Sequence, residues 1–87
     1  MMAGKGLVKL MEECGELTQI AAKKLAYIQS DIHPDGKGCM NRRLEEELAD
    51  VIAIAYFVER KFKLDCNFIE DRISKKLNMF LQWDAEE

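Results

Sequence analysis

The sequence predicts an all-α protein, in which three main helices form a four-helix-type bundle completed by oligomerisation. Apolar residues recur at steps of three and four, and no stretch shows the alternation of a strand. The central predicted helix is apolar nearly all round from Val51 to Val58, more than two neighbouring helices can cover. With 87 residues the chain is predicted to be a single domain, residues 1–87. Small helical domains often complete their core by association, so we expect a homodimer or homotetramer.

The first predicted helix extends from about Lys5 to about Gln29. Its apolar stripe consists of Leu7, Leu10, Met11, Cys14, Leu17, Ala21, Leu25 and Ile28. Residues 30–41 follow, with the only proline and two of the five glycines of the chain. Because Pro34 disfavours a helix, this segment is predicted to be a loop.

The second predicted helix extends to about Lys63, with Asn41 as its N-cap, because an asparagine side chain accepts hydrogen bonds from free backbone amides. The residues LDCN then interrupt the helical pattern. Asn67 and Glu70 have the spacing of a capping box and predict the start of a third helix. The apolar stripe of that helix consists of Phe68, Ile69, Ile73, Leu77, Phe80 and Leu81.

Composition and charge exclude several classes of protein. The chain is 48% hydrophobic and 33% charged, as in globular proteins rather than disordered ones. Its net charge is −3 and it has no basic stripe, so no nucleic-acid polymer is expected as a partner. The longest apolar run is too short to span a bilayer, so no membrane partner is expected. Three unpaired cysteines and the absence of a signal-peptide pattern predict a cytoplasmic protein.

Two pairs of acidic residues have the spacing of one helical face. Glu13 and Glu16 lie three residues apart in the first predicted helix, and Glu47 and Asp50 in the second. If these helices pack antiparallel, all these carboxylates converge. Several anions in a partly buried space need neutralisation, and the usual partner of an all-oxygen cluster is Mg²⁺, with Mn²⁺ as a substitute.

Asp50 is the most informative of these residues. Aspartate is a poor residue for a helix interior, and this one stands between Ala49 and the apolar residues 51–54. A carboxylate buried in such surroundings is usually paired or coordinated, so we expect Asp50 to be buried and bound to a metal ion.

The alternative is a non-catalytic helical oligomerisation or protein-interaction module, whose acidic residues only keep it soluble. Glu12, Glu45 and Glu46 are assigned to solvated faces.

The segments EECGEL and EEELADV resemble the paired acidic motifs of the MazG-like, all-α nucleoside triphosphate pyrophosphohydrolases. The resemblance extends to ISKKLNMFLQW, residues 73–83, and so covers most of the chain. It implies Mg²⁺-dependent hydrolysis of a nucleoside or deoxynucleoside triphosphate to the monophosphate and pyrophosphate, by attack of water at the α-phosphorus. It also implies a set of metal ligands, namely Glu13, Glu16, Glu47 and Asp50.

The resemblance further implies roles for individual side chains. Independently of the resemblance, a carboxylate that is not fully engaged with metal can accept a proton from the attacking water, and the sequence does not choose between Glu13 and Glu16 for this role. Lys76 matches the basic residue that contacts phosphate, with Lys75 as a second candidate and Asn78 as a polar contact. The 30 residues between Glu16 and Glu47 imply a long loop. The chain starts almost at the first motif, so base recognition is expected to be loose or supplied by a neighbouring subunit.

Other metal and phosphate sites are disfavoured by the sequence. A ferritin-like di-iron site uses Glu-x-x-His pairs on helices, whereas the only histidine, His33, lies in the predicted loop. Cysteine and histidine spacings typical of zinc sites are absent. The segment DGKG, residues 35–38, lacks the remaining residues of a phosphate-binding loop.

Overall fold

A computed structural model describes residues 2–86 and contains the helices α1 (Met2–Ala26), α2 (Met40–Lys61) and α3 (Cys66–Ala85). Across these residues the backbone forms no strand, only an isolated antiparallel bridge between Ile32 and Cys39. In the described part of the chain, every helix is too short or too polar to cross a membrane. The predicted all-α fold class is confirmed.

Helices α1 and α2 pack against each other as an antiparallel hairpin. Gly6, near the start of α1, faces Phe57 near the end of α2, and Glu13 lies beside Asp50 further along. A Cβ atom on Gly6 would lie 3.0 Å from Cε1 of Phe57, so the missing side chain allows this close approach. The hairpin therefore brings the first and second acidic motifs to the same level.

The buried core of one protomer is small. Met40 is fully buried, and Ile20 and Val58 are nearly so. On α2, Ile52 and Tyr56 are each 53% exposed, so one protomer leaves much of the apolar surface of this helix uncovered. The main helix packing in the described chain is that of α1 with α2, which leaves the rest of α2 open.

Helix α3 packs little against the hairpin. None of its described residues is buried, and its aromatic side chains are largely solvent-exposed, with Phe68 at 69% and Trp83 at 62%. Most of its predicted apolar stripe is therefore left uncovered by the other residues that the structure describes. A helix with this composition leaves apolar surface in contact with water, which is unfavourable unless another chain covers it.

The predicted N-cap of the second helix is wrong. Helix α2 begins at Met40, its N-cap position is Cys39, and no side chain caps it. Instead, the backbone N–H of Met40 donates to the carbonyl oxygen of Asp31 at 2.7 Å. This amide precedes Asn41, whose side chain as an N-cap would instead have accepted from the amide of residue 43 or 44, and Asn41 lies inside the first turn.

The predicted capping box of the third helix is also wrong. The N-cap is Asp65, whose carboxylate accepts a hydrogen bond from the N–H of Phe68 at 3.0 Å. Asn67 lies within the first turn, two residues later than an N-cap. Asp and Asn are almost equally good caps, so local preference did not decide between them. The left-handed backbone at Lys63, with φ 54°, turns the chain before this start.

The carboxylate of Asp35, which was not among the predicted functional residues, holds the loop between α1 and α2 in place. Lys23 of α1 donates to it at 2.9 Å, and Arg43 of α2 donates through two nitrogens at 3.2 Å each. The backbone N–H of Lys37 also donates to it, at 3.1 Å. These partners, Lys23 above all, hold the pKa of Asp35 well below its usual range. Asp35 therefore ties the loop to both helices.

Replacing Asp35 with asparagine is expected to lower the melting temperature at neutral pH by several degrees, because two ion pairs are lost. A lowered pKa contributes stability above the unfolded value of 3.8, and this contribution is lost as the pH falls through the folded value. The difference between the two proteins should therefore shrink only below about pH 3.8. Thermal unfolding followed by circular dichroism measures it. Asp31→Asn, an exposed carboxylate in the same loop, is the control, and equal losses would contradict the assignment.

Candidate metal centre

Three carboxylates from the two helices of the hairpin meet at one point. Glu13 of α1 and Glu47 and Asp50 of α2 each place a carboxylate oxygen within 4.8 Å of the other two. Glu47 and Asp50 lie on one face of α2 because they are three residues apart. The antiparallel packing brings Glu13 to the same level from the opposite side. The structure thus assembles residues that are 37 positions apart in the chain.

Glu16 lies next to this group rather than within it. Its side chain is exposed, and it is not among the residues whose oxygens meet within 4.8 Å. Its negative charge still reaches the group, because it raises the pKa of both Glu13 and Glu47. All the predicted ligands therefore occupy one region, with Glu16 at its margin.

Glu13 and Glu47 are the shielded members of the cluster. In each, Oε2 is hidden from solvent and has no hydrogen-bond partner among the described residues. Burial is the main cause that raises the pKa of each carboxyl group, and repulsion by neighbouring carboxylates adds to it. A shielded carboxylate oxygen without a partner is unfavourable. Such oxygens and an all-oxygen donor set fit a hard divalent cation such as Mg²⁺ or Mn²⁺.

The prediction that Asp50 is buried is wrong, since its side chain is exposed in the protomer. The apolar residues next to it in sequence point to other sides of α2, because successive side chains of a helix diverge by about 100°. Leu48 and Ile52 are themselves exposed. Burial in this cluster belongs to Glu13 and Glu47, which the sequence did not distinguish from ordinary helical glutamates.

Two of the carboxylates, those of Glu13 and Asp50, line a cleft between α1 and α2 with a volume of about 360 Å³. The cleft is lined by Lys9, Glu13, Asp50, Ala53, Ile54 and Phe57. Its α2 side is mainly apolar beyond Asp50, and its α1 side carries charge. Lys9 lines the cleft but was not among the predicted site residues. Its position four residues before Glu13, which places both side chains on one face of α1, was the sequence feature that pointed to it.

The predicted phosphate contacts lie on the third helix. Lys76 is half-buried and Asn78 is exposed, and within the described protomer neither lines the cleft with the carboxylates. Lys75, the second candidate, lines a different and smaller cavity together with Phe68, Asp71 and Arg72. Their roles in phosphate binding therefore stay predictions.

Comparison of the chain with models of protein families, with curated proteins and with solved structures found no match. The features from which function is inferred are therefore the acidic motifs, the meeting of their side chains and the cleft beside them. Chemically, this arrangement can bind a divalent cation and present it to a ligand in the cleft.

The raised pKa values predict how stability depends on pH without divalent cations. A carboxyl group with a raised folded pKa favours folding below its unfolded value, 4.5 for glutamate, and this contribution is lost as the pH rises through the folded value. Wild-type protein in EDTA should therefore lose stability as the pH rises above 4.5. Glu47→Gln should lose less, because glutamine cannot ionise. Melting temperatures of both proteins measure the difference, and Glu46→Gln, an exposed neighbour, should follow wild type.

Proposed function

We propose that the protein is a Mg²⁺-dependent nucleoside triphosphate pyrophosphohydrolase, which converts an NTP or dNTP to the monophosphate and pyrophosphate. The observation that carries this proposal is the meeting of Glu13, Glu47 and Asp50, with the shielded oxygens of both glutamates unpartnered. The resemblance of the two acidic motifs to those of MazG-like enzymes supports the same reaction. The adjoining cleft offers room for a ligand of small-molecule size.

The residues of the cluster have distinct roles in this proposal. Glu13, Glu47 and Asp50 hold Mg²⁺, with Glu16 completing the set from its margin. A bound divalent ion supplies neutralisation of triphosphate charge and a lowered pKa for bound water. Glu13 or Glu16 accepts the proton of the water that attacks the α-phosphorus. Lys76 and Asn78 bind phosphate.

The proposal includes assembly of identical chains. Within the described part of the chain, the apolar side of α3 is largely uncovered and much of α2 is open. We propose that these surfaces pack against a second copy, giving a homodimer or homotetramer with a four-helix-type core. Such packing also offers a route by which α3, with Lys76, reaches a cleft. The three free cysteines suit the cytoplasm, where we place the enzyme.

A charge on the apolar side of α3 is expected to break this assembly. Phe80 is 55% exposed in the protomer, and burial of glutamate in its place between chains is strongly unfavourable. Phe80→Glu should therefore sediment as a monomer or lose helix content, whereas Gln82→Glu, on the same helix, should assemble normally. Analytical ultracentrifugation with circular dichroism measures both. A wild-type monomer, or a folded Phe80→Glu variant that assembles, would contradict the proposed interface.

The proposed reaction is tested by incubating the protein with a panel of canonical and modified triphosphates and Mg²⁺, and separating the products. Monophosphate plus pyrophosphate supports the proposal, whereas diphosphate plus orthophosphate, or no turnover of any triphosphate, refutes it.

The exposed apolar surface of α3 also suits the second candidate, a non-catalytic oligomerisation or protein-interaction module. That candidate predicts no turnover and no response to Mg²⁺.

A further inference from the structure

Lys9 lies in the cleft of the candidate metal centre. It is on α1, one helical turn before Glu13, and it lines the same cleft as Glu13 and Asp50. Among the described residues that line this cleft, Lys9 alone is positively charged. The cleft therefore has the Glu13 carboxylate and an ammonium group on the α1 side, and Asp50 followed by apolar side chains on the α2 side.

The present partner of Lys9 is an exposed one. Its Nζ lies 2.9 Å from Oε2 of Glu12, and the two side chains are 63% and 52% exposed. Ion pairs of this kind contribute little to stability, because water and salt screen them. The ammonium group can therefore exchange Glu12 for a more highly charged anion at small cost.

We propose that Lys9 binds the polyphosphate chain of the substrate within this cleft, an inference that rests on the proposed function. A triphosphate entering the cleft meets several carboxylates, and one divalent cation does not offset all of this negative charge. A lysine at the side of the cleft supplies a mobile positive charge that follows phosphate oxygens. Lys9 lines the cleft within a single protomer, whereas Lys76 lies on α3 and is not among the described residues that line it. The apolar side chains Ile54 and Phe57 leave the less polar part of a nucleotide a surface to contact.

The test measures ligand binding rather than turnover. Lys9→Gln, Lys9→Arg and the control Lys5→Gln, an exposed lysine on α1, are titrated calorimetrically in Mg²⁺ with inorganic tripolyphosphate and with a non-hydrolysable α,β-methylene deoxynucleoside triphosphate. Lys9→Gln should weaken the binding of both ligands by about ten-fold or more, since a charge-assisted contact to phosphate is lost. Lys9→Arg and Lys5→Gln should bind nearly as wild type does. Melting temperatures with Mg²⁺ alone should shift equally in all four proteins.

The outcomes separate this inference from the proposed function. If wild type and Lys9→Gln bind tripolyphosphate equally, the role of Lys9 is refuted while the proposed reaction stands. Equal weakening by Lys9→Gln and Lys5→Gln also refutes it, because only general charge would then matter. Loss of the Mg²⁺-induced shift in Lys9→Gln would make Lys9 a structural residue of the cluster and overturn the inference. If wild type binds neither ligand, the inference and the proposed function both fall.

Discussion

Asp50→Asn is expected to reduce Mg²⁺-dependent release of pyrophosphate by about 10²-fold or more while leaving the fold intact. Asparagine has nearly the shape of aspartate but lacks its charge and one of its acceptor oxygens. Asp50 is exposed, so the substitution buries no new polar group. Its charge raises the pKa of Glu13 and Glu47, so removing it relieves repulsion between carboxylates. The stability of the variant should therefore equal or slightly exceed that of wild type in EDTA.

The matched control for Asp50→Asn is Glu46→Gln, which removes one charge from an exposed position on the same helix. Initial rates of pyrophosphate release, circular dichroism and sedimentation are compared for the three proteins. Wild-type activity in Asp50→Asn would rule out this carboxylate as a metal ligand. A loss of activity in Glu46→Gln of the same size would show that net charge matters rather than the cluster.

Saturating Mg²⁺ or Mn²⁺ is expected to raise the melting temperature substantially. A cation that binds only the folded state stabilises it by about 2.7 kcal/mol at a concentration of 100 times its dissociation constant. For a domain of this size, that free energy corresponds to a rise of roughly 10–20 °C. The physical source is relief of repulsion around Glu13 and Glu47, together with new partners for their shielded oxygens.

Calorimetric scans with the divalent chloride, and with KCl at equal ionic strength, measure this stabilisation. The double variant Glu13→Gln, Glu47→Gln should melt at a higher temperature than wild type in EDTA, because its cluster carries less charge. It should gain little from Mg²⁺. An unchanged wild-type curve in excess metal would count against the metal centre, and an equal shift in the double variant would place the binding elsewhere.

The sequence was sufficient to predict the helices and the level at which the acidic motifs meet. Apolar spacing located all three helices, and the motifs met because α1 and α2 pack antiparallel. The exact helix starts were not predictable from local preference. Asparagine caps helices well, but Cys39 and Asp65, rather than Asn41 and Asn67, occupy the N-cap positions of α2 and α3. Such choices depend on where the loop lies in space.

The sequence also did not predict which side chains of the site are buried. Asp50 has apolar neighbours along the chain yet lies in an open cleft, whereas Glu13 and Glu47 have shielded oxygens. Which side of a helix is covered depends on its neighbours in three dimensions. Lys9 was recoverable from its spacing to Glu13, but Asp35 was not, because its partners Lys23 and Arg43 come together only through the fold.

The position of the acidic cluster between two fixed contacts of the hairpin has a mechanical consequence. Asp35 clamps α1 to α2 at the loop end, and the contact between Gly6 and Phe57 fixes the spacing at the other end. Because both ends of the hairpin are held, α1 and α2 do not move apart to relieve the repulsion between the carboxylates. The conformational entropy of these side chains is lost when the chain folds, so a cation that bound the cluster would meet preorganised side chains.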